Sequence, residues 1–92
     1  MHKSHKLLID ELSEARKKVA VGKLYFHYKN PELSYRVIKL AIMEADDSLC
    51  VIYEAQYGDN LVFVRPLTSW LEKVKWNDKE VNRFTKIDGK QD

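Results

Sequence analysis

The period of the hydrophobic pattern changes at Gly22, and this change limits the possible folds more than any other feature of the chain. Before it, Leu8, Leu12, Ala15 and Val19 recur at the spacing of one helical face. After it, apolar residues tend to alternate, as they do in half-buried strands. The first pattern predicts an amphipathic helix of about four turns, with Ser4 as N-cap, an end near Ala20 and Gly22 just beyond it. Asp10, Glu11 and Glu14 lie early in the helix and Arg16, Lys17 and Lys18 late, the order that suits its dipole.

The second pattern predicts a succession of strands. "KLYFHYK" is the first, with His27 on the face opposite Leu24 and Phe26 when those two point inward. "NPELS" is a loop, because Asn-Pro is a turn signal. "YRVIKLAIME" is a long second strand with Ile38, Leu40 and Ile42 on one face. The turn "ADDS" leads to "LCVIYEAQY", where Leu49, Val51, Tyr53, Ala55 and Tyr57 share a side. "GDN" closes a hairpin onto "LVFVR", with Gly58 or Asn60 taking the left-handed conformation. Pro66 ends that ladder because it has no N–H to donate. Ser69 and Glu72 have the spacing of a capping box that opens one helical turn. "WNDK" is a turn, and "VNRFTKI" is the last strand.

These elements describe a mainly β, α+β chain. It is expected to form a small, SH3-like, strongly bent antiparallel five-stranded sheet or barrel, with an N-terminal α-helix and a short helical turn before the last strand. The expected divisions are a helix over 1–21, a β-barrel unit over 22–87 and a fraying polar tail over 88–92, in a single domain. The SH3-like order is topological analogy and carries no function.

A chain of 92 residues with 45% hydrophobic content supports one small core. The only cysteine, Cys50, has no partner for an internal disulfide, which points to a reducing, cytoplasmic location. Apolar runs such as "LCVIY" are strand-sized, so no membrane partner is expected. Residues 1–23 hold six basic residues (Lys3, Lys6, Arg16, Lys17, Lys18, Lys23) against three acidic ones, whereas the remaining chain is nearly balanced. Binding dominated by phosphate contacts usually places positive charge on the body of a protein, and here it gathers on the N-terminal segment.

Several separated motifs resemble a family of small bacterial proteins known as domain of unknown function 1653. They are Gly22, "YFHYK" at 25–29, "YRV" at 35–37, "YEAQYGD" at 53–59, "VRP" at 64–66, "WLE" at 70–72 and "RF" at 83–84. The likeness extends over residues 22–87. Two loops depart from it: Asn30 stands where the family has Gly and opens a longer loop, "NPELS", and the acidic "MEADDS" replaces a His-containing turn. The resemblance implies a shared fold unit and surface, and no activity.

The residues left for function are aromatic and basic. Tyr25, His27, Tyr28, Tyr57, Arg65 and Trp70 are expected to line a shallow groove for a protein, peptide or small flat ligand, since aromatic platforms beside a guanidinium suit such partners. The competing reading makes Tyr53, Tyr57 and Trp70 core or rim residues, with Arg65 stacked on one of them or bonded to a loop carbonyl. An alternative function is nucleic-acid association through Arg16, Lys17, Lys18, Lys23 and Lys29. The plainer account of Arg16–Lys18 is the solvated end of an amphipathic helix. The apolar helix face must be covered, by the chain itself or by a second copy in a homodimer. A small enzyme is a third reading, and it needs His27 near a carboxylate or Cys50; no catalytic set is assigned. No cofactor or metal is expected: His2 and His5 lack a third ligand, and Asp46 and Asp47 sit in a turn.

Overall fold

A computed structural model describes residues 3–87. The expected tail at 88–92, and His2 with its proposed pairing to His5, lie outside the described residues.

The N-terminal helix α1 spans His5–Lys18, and the Ser4 side chain accepts from Leu7 N as its N-cap. It stops two residues before the expected end because Val19 is already extended. Ala15 and Val19 are buried, so this helix face is covered at least in part by the chain's own body. The hydroxyl of Tyr25 accepts from Ala20 N at 2.8 Å and fixes the exit of the helix against the sheet. Gly22 then makes the turn at φ 88°, a left-handed conformation that costs glycine little.

The strands are β1 (Leu24–His27), β2 (Asn30–Met43), β3 (Ser48–Ala55), β4 (Val62–Pro66), β5 (Lys73–Trp76), β6 (Lys79–Asn82) and β7 (Phe84–Lys86). Five of them form an antiparallel sheet in the order β4-β3-β2-β1-β7. A β5-β6 hairpin stands apart from it. The mainly β character, the five-stranded antiparallel sheet and the N-terminal helix agree with expectation. Closure into a barrel does not: among the described residues β4 and β7 remain the two edges.

Four local expectations need correction. "NPELS" belongs to β2, and the turn is Tyr28-Lys29. His27 opposes Asn30 and Phe26 opposes Ser34, so residues 31–33 bulge without opposite partners, and Pro31 removes no ladder bond there. A second bulge falls between Val37 and Lys39, where Ile38 is the extra residue. It shifts the alternation by one, so Val37 and Leu40 pack in the core region while Ile38 is exposed. The Ser69–Glu72 capping box does not form, because the short helix α2 is Leu67–Trp70 and Ser69 lies inside it. The final strand is split at Arg83 into β6 and β7, and β5 appears where only a helical turn and its exit had been expected. The "WNDK" turn is present, with Asn77 and Asp78 both at positive φ as a tight two-residue hairpin requires.

The core is aromatic. Trp70 stacks on Phe84 with centroids 3.8 Å apart and planes 5° from parallel, and its ring also meets Tyr25 and Tyr53 edge-on. Val19, Val37 and Val51 fill in around this group. In β1 the period of two is right but the phase is reversed: Tyr25 is buried, and His27 shares its side and meets the Phe84 ring at 5.1 Å. His27 therefore lies on the core face and not opposite it. No helix among the described residues is long and apolar enough to cross a membrane.

Candidate functional site

The aromatic face runs past the core to a hollow of about 270 Å³ lined by His27, Tyr35, Tyr53, Phe63, Arg65 and Phe84. Sheet register assembles it from five strands. Tyr53 opposes Phe63 across β3-β4, and His27 opposes Phe84 across β1-β7. Tyr35 on β2 bridges the two sides, its ring edge-on to Tyr53, Tyr57 and Phe84.

Arg65 is the charged group of the hollow. Its Nε donates to the Tyr53 hydroxyl at 3.4 Å and one terminal nitrogen donates to Ser69 Oγ at 2.9 Å. The guanidinium carbon stands 5.3 Å from the centre of the Phe84 ring. Among the described residues no carboxylate forms an ion pair with it, whereas nearby Arg83 is paired with Glu72 at 2.9 Å. Arg65 is thus a half-buried cation held by two hydroxyls and a ring, without a counter-charge among the described residues.

The local potential is positive. Burial, then the charges of Arg65, Arg83 and Lys29, hold His27 below its ordinary value of 6.5. At neutral pH the imidazole is therefore neutral, and its Nδ1 accepts from Lys29 N. Because the folded value lies below 6.5, the unfolded chain takes up this proton first as the pH falls. The contribution to stability is complete above 6.5 and is lost as the pH drops through the folded value. Urea midpoints of the protein are expected to fall in that window, and those of His27→Gln to fall less. Equal slopes for the two proteins would contradict this assignment.

Tyr35 and Tyr57 share a hydrogen bond of 2.6 Å between their hydroxyls at the rim. Burial, together with the bond to Tyr57 and the proximity of Tyr57 and Tyr53, pushes Tyr35 up to about 12. Tyr57→Phe is expected to move Tyr35 part of the way back toward 10, read by ultraviolet titration of the phenolate; an unmoved value would leave burial and the proximity of Tyr53 as the causes.

The expected groove residues divide three ways. His27 and Arg65 meet in the hollow, and Tyr57 reaches its rim through Tyr35. Tyr28 packs beside it, between His27 and Trp76. Tyr25 and Trp70 lie beneath in the core, 5% and 2% exposed. Tyr35, Phe63 and Phe84 were missed as lining residues. Tyr35 and Phe84 do occur in the "YRV" and "RF" motifs, and Phe63 is two residues from Arg65, hence on the same side of β4.

The basic residues do not form one patch. Arg16, Lys17 and Lys18 line a separate cleft of about 400 Å³ with Lys86, and Lys17 is also paired with Glu14. Lys23 and Lys29 lie at opposite ends of β1, Lys29 over the Tyr28 ring. Cys50 is buried and alternates with Val51 and Tyr53, which puts it on the other face of the sheet from His27. The Cys50–His27 pair needed for nucleophilic chemistry is not assembled.

The family model described as protein of unknown function, DUF1653, matches residues 23–86. A crystal structure of a member of this family from Bordetella bronchiseptica is similar at 25% identity and a TM-score of 0.65, covering 76% of this chain and 90% of that one. No curated protein matches. Helix α1 lies outside the matched span, and every residue lining the hollow lies within it. The chain therefore belongs to the DUF1653 family of proteins of unknown function.

Proposed function

We propose that this protein is a binding module whose hollow takes a flat or extended ligand carrying a carboxylate or similar anion. The observation that carries this reading is Arg65, half-buried on a ring with no acidic partner among the described residues. A cation in such a place is partly desolvated, so an arriving anion gains more from it than from a surface lysine. Tyr35, Tyr53, Phe63 and Phe84 supply apolar walls for a ring or an extended backbone. On this reading the chain is an SH3-like recognition fold in the broad sense, a small bent antiparallel sheet gripping its ligand on one face, and it works in the reducing cytoplasm.

The test is an amide NMR titration with N-acetyl-phenylalanine, using its carboxamide as control. Shifts are expected at His27, Tyr35, Arg65 and Phe84 with the acid and not with the amide. Equal responses to both, or none to either, would remove the proposal.

A second reading rests on the cleft lined by Arg16, Lys17, Lys18 and Lys86, which suits a phosphate-bearing strand. Binding there has to weaken steeply with salt. A short single-stranded oligonucleotide that binds equally well at low and moderate salt, or not at all, argues against it.

A further inference from the structure

Among the described residues strand β4 is an edge of the five-stranded sheet, and Arg65 and Pro66 guard only its C-terminal end. Four consecutive large apolar residues are exposed on or beside it: Leu61 at 59%, Val62 at 58%, Phe63 at 40% and Val64 at 57%. The hydrogen-bond parity of the strand follows from one contact. Ala55 N donates to Leu61 O, so residues 61, 63 and 65 turn their peptide groups toward β3. Val62 and Val64 therefore turn theirs to the open side. Pro66 follows in the same parity, where its missing N–H leaves the β3-β4 ladder intact and ends the free edge.

We infer that an extended acidic peptide adds to β4 as a further strand, placing a carboxylate in the Arg65 hollow; this rests on the anion-binding reading above. Peptide side chains opposite Phe63 and Arg65 fall on the hollow side, about 4.8 Å from β4, within reach of the guanidinium for Asp or Glu. Side chains of the other parity cover Val62 and Val64, and apolar ones fit there. The recognised pattern is an alternation of apolar and acidic residues over four or five positions. Charge complementarity selects this occupant over a second copy of the chain. The segment Leu61–Pro66 carries no acid to offer Arg65, and pairing two such edges brings two arginine-bearing strands together.

The test pans a phage-displayed library of random peptides on the full chain and follows the enriched peptide, made synthetically, by NMR. Enrichment of an apolar–acidic alternation is expected, together with slowing of Val62 and Val64 amide exchange by about tenfold or more in the complex. N-methylation of the peptide amides of one parity is expected to weaken binding by about tenfold or more, and of the other parity to leave it nearly unchanged. Failure to enrich such sequences, unchanged exchange at Val62 and Val64, or indifference to N-methylation would each overturn strand addition. So would a free chain that sediments as a dimer with those two amides already protected. The N-acetyl-phenylalanine titration separates the two claims: a response at Arg65 without strand addition leaves the hollow standing, and silence in both removes both.

Discussion

Trp70→Ala is expected to cost about 3–5 kcal/mol of folding stability, the range for truncating a large aromatic in a packed core. Trp70 is 2% exposed, stacks on Phe84 at 3.8 Å and meets Tyr25 and Tyr53 edge-on, so no neighbour can collapse fully into the space it leaves. A domain of this size has roughly 5–15 kcal/mol in all, so the variant is expected to be partly unfolded in mild urea. Trp76→Ala is the internal control. Trp76 sits on the separate β5-β6 hairpin, is 41% exposed and touches Tyr28 edge-on, so its loss is expected to cost about 1 kcal/mol or less. Urea denaturation of both variants checks the pair. Equal losses would mean that the hairpin and not α2 holds the aromatic core together.

The second large effect falls on binding. Among the described residues, Arg65→Gln removes the only cation that lines the hollow at neutral pH, since His27 is neutral there. Hydrogen bonds to a charged group are worth about 1.5–3 kcal/mol, so affinity for an aromatic carboxylate is expected to fall by roughly tenfold to a hundredfold. Stability is expected to change by about 1 kcal/mol or less, because the partners of Arg65 are the hydroxyls of Tyr53 and Ser69, which Gln or water can satisfy. Calorimetric titration read beside urea denaturation separates the two quantities. Lost binding with intact folding is the expected combination. A large stability loss with unchanged affinity would make Arg65 a structural residue.

The period change at Gly22 was enough to divide helix from sheet, because periodicity depends only on which residues must face a core. Phase within the sheet was harder to read. The bulge at Ile38 adds one residue to β2 without a Gly or Pro to mark it, and everything beyond it changes face. The S-x-x-E spacing at Ser69 and Glu72 is short enough to arise by chance. Tertiary partners claimed both side chains, Arg65 for Ser69 and Arg83 for Glu72. Arg65 stood out in the sequence because neither the hairpin nor the Pro66 stop needs it, and the structure places it over the Phe84 ring and against Ser69. The walls around it were not: Tyr35, Phe63 and Phe84 come from strands that meet only when the sheet closes its order β4-β3-β2-β1-β7. Tyr25 and Trp70 had the composition of a binding surface and the location of a core, a distinction that depends on where α2 packs.

The most direct measurement is the titration of His27 by NMR, with and without saturating N-acetyl-phenylalanine. Burial, then the charges of Arg65, Arg83 and Lys29, hold the imidazole below 6.5 in the free protein, and a carboxylate against Arg65 offsets the part due to charge. The account predicts that the His27 titration moves upward when the acid is bound and stays put with the carboxamide. A His27 value unchanged by the acid, with shifts gathered instead at Arg16, Lys17 and Lys18, would contradict it.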